Sequence, residues 1–213
     1  GLAISDKGGN IVAGQPTYLA LMSYAEAWGG EIKWVPVDSN KGYDLKKIRE
    51  NIDQETNMVF IANPNNPTGT LLNGSSLAKF CEDVSKQTLV FCDEAYYDYI
   101  NESDYPSMDY LVRQGENVII SRTFSKVYGL AGLRIGYLVL KPELADQLFG
   151  EYSPYGRPKI MAQTNVLAVA AASEALNDDD FYKFSLKKAN EEKTKIYKLL
   201  DYLNLKYVES STN

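Results

Sequence analysis

The chain has 213 residues, a formal charge of −6, two cysteines and no histidine. That length buries a real core and accommodates one large domain with part of a second, while the acidic balance disfavours a protein built mainly to coat nucleic acid or anionic lipid. The lack of histidine removes Ser-His and Cys-His catalysis and the commonest zinc patterns, so any acid-base group must be of another type.

In chain order, the opening GLAISDKGGN lacks the charged and apolar regions of a signal peptide, and no apolar run approaches a bilayer span, so a cytoplasmic location is expected. Helical spacing is found in YLALMSYAEAW (18–28), DLKKIRENI (44–52) and SSLAKFCEDVSK (75–86). Between and after these lie β-rich apolar segments: EIKWVPV (31–37), NMVFIAN (57–63), TLVFCDEAY (88–96), NVIISRT (117–123) and IGYLVL (135–140). Cys81 and Cys92 fall in a predicted helix and a predicted strand, with no metal-knuckle or redox spacing, and read as buried thiols. The alternation predicts an α/β fold whose mixed, mostly parallel sheet is sandwiched by helices, with ligands at the carboxyl ends of the strands. The segments 117–123 and 135–140 are joined without a full helix, so that pair is expected to be antiparallel.

After the turn-rich, basic YSPYGRPK (152–159), an alanine-rich helix is expected from about Ile160 to Leu176, buried by its apolar composition. The acids at 178–180 then suit the start of one long helix carrying Phe181, Phe184, Ile196, Leu199, Leu200 and Leu203. The closing KYVESSTN resembles a strand opening a smaller α+β domain, which places domains at 1–177 and 178–213.

Three loops follow predicted strands: NPNNPTGT (63–70), DEAYYDY (93–99) and the segment beginning SRTFSK (121–126). Singly, each has an ordinary explanation: a Pro/Asn turn, a helix cap at Asp93 or Glu94, a solvated Lys126. Ends of neighbouring parallel strands face one crevice, however, and there the three define a single site.

The residues PTY (16–18), NPNNPTG (63–69), DEAY (93–96) and SRTFSKVYGLAGLRIGY (121–137), in this order, resemble the fold-type I aminotransferases that use pyridoxal phosphate (PLP). Within them, the chain is most similar to the histidinol-phosphate aminotransferase group. The resemblance implies a PLP-binding large domain over 1–177 and the beginning of the family's small domain after it. It implies that Lys126 is the Schiff-base lysine and proton carrier, and that Asp93 pairs with the protonated ring nitrogen. Asn66 and Tyr96 match the donors to the phenolic oxygen, with Tyr96 counted beside Lys126 and Asp93 as catalytic. Arg134, Ser125 and Thr123 match the phosphate grip, and Tyr18 the aromatic stacked on the ring. Gly129, Gly132 and Gly136 fit close backbone approach around the loop. No metal is implied.

The activity implied is transfer of an amino group between an amino acid and a 2-oxo acid by a homodimer, with histidinol phosphate or an aromatic amino acid as first choice of substrate. Nucleic-acid and membrane partners are not expected. The resemblance also implies that part of the phosphate cradle, a tyrosine reaching the neighbouring cofactor and an arginine for the substrate carboxylate fall outside these 213 residues. SPYGRPKIMAQTN (153–165) departs from the histidinol-phosphate pattern, and its Arg157 and Lys159 read as a solvated basic loop. Two other readings share the motifs: a lyase or decarboxylase on the same scaffold, and the sensing domain of a transcriptional regulator.

Overall fold

The computed structural model describes residues 8–102, 104–149 and 164–212. Six strands form one sheet: β1 (Asn10–Gln15), β2 (Glu31–Pro36), β3 (Thr56–Ala62), β4 (Leu89–Asp93), β5 (Val118–Thr123) and β6 (Gly136–Val139). Their spatial order is β2-β1-β3-β4-β5-β6. Every neighbouring pair is parallel except β5 with β6, which is antiparallel as expected from the short connection. The helices are α1 (Ala20–Ala27), α2 (Leu45–Glu50), α3 (Gly74–Val84), α4 (Asp109–Arg113), α5 (Pro142–Phe149), α6 (Val166–Ala175) and α7 (Asp179–Tyr202). No described helix is long and apolar enough to cross a membrane.

Alternate residues of the parallel strands enter two cores, which is why the strand sequences are apolar without interruption. On one face Val12, Val59, Ile61, Val90 and Ile120 pack against Ile48 of α2 and Leu77, Phe80 and Cys81 of α3. On the other, Ile11, Ala13, Met58, Phe60 and Ala62 pack against Met22 and Ala25 of α1. α3 shows how the sequence sets such a helix. The Asn73 side chain accepts from Ser76 N–H at the N-cap, and Leu77, Phe80, Cys81 and Val84 bury one stripe at helical spacing. Burying Leu77 and Phe80 stabilises by roughly 2 kcal/mol each. Cys81 and Cys92 are both buried thiols with sulfurs 3.7 Å apart, a proximity that their spacing in the chain did not announce.

Three expectations are corrected or extended. β1 was not anticipated: its apolar run is short and interrupted by Gly14, which has low strand propensity, although Ile11, Val12 and Ala13 are fully buried. The alanine-rich helix is not buried. It starts at Val166, and Val166 is 79% and Leu167 75% exposed, so only the stripe through Ala168 and Ala172 is covered. Residues 160–163, and the basic 152–159 segment with Arg157 and Lys159, lie outside the described residues.

The third concerns the closing residues. α7 is one 24-residue helix, capped by the Asp178 side chain accepting from Phe181 N–H. KYVESSTN, expected to be a strand, has no ladder partner over 206–212 and instead folds back along α7. Tyr207 stacks on Tyr197 at 4.9 Å, and Ser210 N–H donates to the Tyr197 hydroxyl at 2.6 Å. Ser211 N–H then reaches the Gly69 carbonyl at 2.8 Å, which seats the segment on the NPNNPTG loop.

Candidate active site

The parallel register pairs Ala62 with Asp93 and Asp93 with Ser121, so the carboxyl ends of β3, β4 and β5 lie side by side. A cavity of about 300 Å³ opens there. All eight predicted site residues line it: Tyr18, Asn66, Asp93, Tyr96, Thr123, Ser125, Lys126 and Arg134. Ser121 and Arg122 line it as well.

The loop after β3 divides its asparagines by task. Asn63 is buried, donating to the Tyr105 hydroxyl at 2.7 Å and accepting from Leu72 N–H at 2.9 Å. Asn65 is buried too, donating to Pro16 O at 3.1 Å and Thr68 Oγ1 at 2.8 Å. The Tyr43 hydroxyl shares 2.6 Å hydrogen bonds with both Thr17 Oγ1 and Asn65 Oδ1. With its neighbours fixed in this way, Asn66 alone of the three turns to the cavity, where its Nδ2 donates to the Tyr96 hydroxyl at 3.4 Å. Tyr18, half exposed at 48%, follows Thr17 at the rim.

Asp93 ends β4. Its Oδ1 accepts from Ser121 Oγ at 2.8 Å and from Ala95 N–H at 3.1 Å. Burial pushes the carboxyl above the usual carboxylate range, and these two donors together with the positive charge of Lys126 offset only part of that. The site therefore holds a carboxylate that a further cation would stabilise. Lys126 Nζ lies 4.8 Å from the centre of the Tyr96 ring, within the range of a cation–π contact.

Arg134 closes a short 3-10 turn (Ala131–Leu133) with left-handed backbone at φ 53° and ψ 53°. A non-glycine residue held there costs on the order of 1–3 kcal/mol. Its Nη1 donates to Ala131 O at 2.9 Å and, more distantly, to Ser125 Oγ at 3.5 Å, which aims the guanidinium at the cavity. Thr123 Oγ1 accepts from Ser125 N–H at 3.0 Å, so this hydroxyl shapes the turn that presents Ser125 and Lys126. Of the three glycines expected in close approach, Gly136 and Gly129 are so placed: an added Cβ would lie 2.6 Å from Arg122 O and 3.2 Å from the Phe181 ring respectively. Gly132 is not, since no atom lies within 4 Å of that position.

Motif reasoning missed Ser121 and Arg122, and offered Glu94 only as a cap. Glu94 is 4% exposed and accepts from Arg122 Nε at 2.8 Å, Ser107 Oγ at 2.9 Å and Met108 N–H at 2.9 Å. Arg122 Nη2 lies 2.6 Å from the same carboxylate, and its guanidinium sits 4.0 Å from the Tyr97 ring centre. The available signal was positional: an arginine immediately after the residue paired with Asp93, opposite an acid immediately after Asp93.

The mixed, mostly parallel sheet, with amine, carboxylate and guanidinium gathered near adjacent strand ends, has the PLP-transferase fold of the solved aminotransferase structures it superposes on. Residues 2–213 match the family Aminotransferase class I and II, and the chain belongs to that family. It is 37% identical to a histidinol-phosphate aminotransferase of Bacillus cytotoxicus, over 99% of this chain and 55% of that protein. Identity to the histidinol-phosphate aminotransferase of Bacillus licheniformis is 36%, over 99% of this chain and 56% of the other. Among solved structures, the histidinol-phosphate aminotransferase of Sinorhizobium meliloti in complex with pyridoxal-5'-phosphate superposes with a TM-score of 0.82 at 29% identity, covering 97% of this chain and 54% of that one. The chain thus spans about half the length of the curated relatives it matches.

Proposed function

We propose that this chain carries the cofactor site of a PLP-dependent aminotransferase that moves an amino group between an amino acid and a 2-oxo acid. The substrate class proposed is histidinol phosphate, which the names of its relatives carry, or an aromatic amino acid. The observation that carries the reading is the convergence of Lys126, Asp93, Asn66, Tyr96 and Arg134 on one cavity from three different loops. The donor set fits the group on chemical grounds. Asp93, largely withdrawn from solvent and short of positive charge, suits a cationic ring nitrogen, and the Asn66–Tyr96 pair suits a phenolic oxygen. Arg134 and Ser125, with Thr123 shaping their turn, suit a phosphate, while Lys126 suits an aldehyde.

When bound, PLP would supply an electron sink for negative charge on the substrate α-carbon. The protein's own part follows from its side chains. Asp93 would keep the ring nitrogen protonated, and the pairing would in turn relieve the cost of burying its carboxylate. Tyr96 and Asn66 would orient the phenolic side, Tyr18 would cover one face of the ring, and Arg134 would anchor the phosphate end. Lys126 Nζ, as a free amine, is the group available to take and return a proton at the α-carbon.

We propose also that the protein works as a homodimer in the cytoplasm. The resemblance supports the homodimer, and so do the exposed Leu19, Tyr24 and Trp28 on and beside α1. The reading is tested by adding PLP to the intact protein and to Lys126→Ala, then screening amino donors. A visible cofactor band in the first and not the second, discharged by histidinol phosphate or an aromatic amino acid, is expected. An unchanged band in Lys126→Ala would move the chemistry to another lysine.

A further inference from the structure

The ladder between β4 and β5 ends at the pair Asp93 and Ser121, one step before the loops that carry Tyr96 and Lys126. A single backbone bond continues beyond it, Glu94 N–H to Ser121 O at 3.0 Å. Past that point the loop after β4 is joined to the last residues of β5 by the Glu94–Arg122 ion pair, with both side chains largely withdrawn from solvent at 4% and 18% exposure. The pair reaches further. Glu94 also fixes the entry to α4 through Ser107 and Met108, and Arg122 lies over Tyr97, whose hydroxyl donates to Tyr105 O at 2.7 Å. Arg122 itself sits between Ser121, which donates to Asp93, and Thr123, whose hydroxyl shapes the turn before Lys126.

A buried ion pair is weak evidence for stability, because two desolvated charges often do no better than apolar side chains of the same volume. Its placement points instead to geometry: Arg122 lines the cavity, and each partner is adjacent in sequence to a residue that lines it. We propose that Glu94 and Arg122 are positioning residues that fix Asp93 and Lys126 relative to one another, and so orient the cofactor ring between them. This rests on the aminotransferase reading of the cavity. Neither residue touches the reacting atoms in this role; both act through their neighbours.

The test uses the intact protein loaded with PLP and three variants: Arg122→Lys, Glu94→Gln, and the double variant Glu94→Gln/Arg122→Met, which strands no charge. Three quantities are measured: visible circular dichroism of the bound cofactor, kcat and KM for the amino donor, and Tm. Arg122→Lys and the double variant should lose roughly half or more of the visible dichroism and about tenfold or more in kcat, with KM within about twofold, as expected for misplaced rather than lost reacting groups. The double variant should do so with Tm near that of the wild type, and Glu94→Gln should be the least stable of the three. A double variant with wild-type dichroism and kcat would overturn the inference and leave the pair a packing element. So would unfolding of all three variants, which would assign the pair to stability. Failure of the wild-type protein to develop any visible band with PLP would instead overturn the reading of the cavity, and this inference with it.

Discussion

The strand-end loops and the C-terminal helices invert each other's composition. At the ends of β3 to β5, polar and charged residues are buried or half-buried and held by one another: Asp93 by Ser121, Glu94 by Arg122, Asn65 by Tyr43 and Thr68. Along α6 and α7, large apolar residues such as Leu167, Phe184 and Ile196 stand more than half exposed. Buried polar groups persist only where every partner is supplied, so the first region is committed to a specific chemistry. In the second, side chain type is no guide to burial. An apolar stripe states that a surface suits contact, and on α6 the residues that are buried are the small Ala168 and Ala172.

That contrast can be broken or sharpened by substitution. The largest effect is expected at Lys126→Ala, which should remove the visible cofactor band and lower turnover by roughly 10⁴-fold or more, the scale of deleting a nucleophile. Next is Asp93→Asn, with an expected loss of about 10²–10³ in kcat, the scale of losing one preorganised electrostatic partner.

The same substitution has an opposite effect on the cofactor-free protein. Burial raises the Asp93 pKa above its unfolded value, so this carboxyl favours the fold below the ordinary carboxylate pKa and loses that contribution as pH rises through the raised one. Cofactor-free Asp93→Asn should therefore melt higher than the wild type at neutral pH, and the difference should shrink as pH falls towards the unfolded carboxylate range. Equal melting curves at both pH values would show that the carboxylate is not strained by burial.

Leu77→Ala, in the packed core beneath α3, should cost about 2–5 kcal/mol in denaturant unfolding. Leu167→Ala on the exposed face of α6 should cost under about 0.5 kcal/mol. Similar costs at the two leucines would erase the distinction drawn between the regions.

Much of this architecture was legible in the residues. Continuous apolar segments announced β2 to β6, and the short link to 135–140 announced the single antiparallel pair. The polar strand ends announced a shared crevice because parallel topology leaves them no other place to meet. What stayed hidden depends on contacts between distant segments. β1 looked too short, until the parallel registers with β2 on one side and β3 on the other are known to surround Ile11 and Val12. Nothing local distinguishes Asn66 from Asn63 and Asn65; the resemblance picked it out, and the hydrogen bonds of the other two explain why it is the one left facing the cavity. Arg122 and Glu94 lie 28 positions apart, and only the β4–β5 register makes them neighbours. Burial of α6 was misjudged because composition reports preference for contact and not its presence.

One hydroxyl deserves a last consequence. By bonding Thr17 and Asn65 at once, Tyr43 hangs Tyr18 and Asn66, the next residues along each loop, from a common bracket. Two walls of the cavity thus share a single suspension point, and a Phe at position 43 would loosen them in concert.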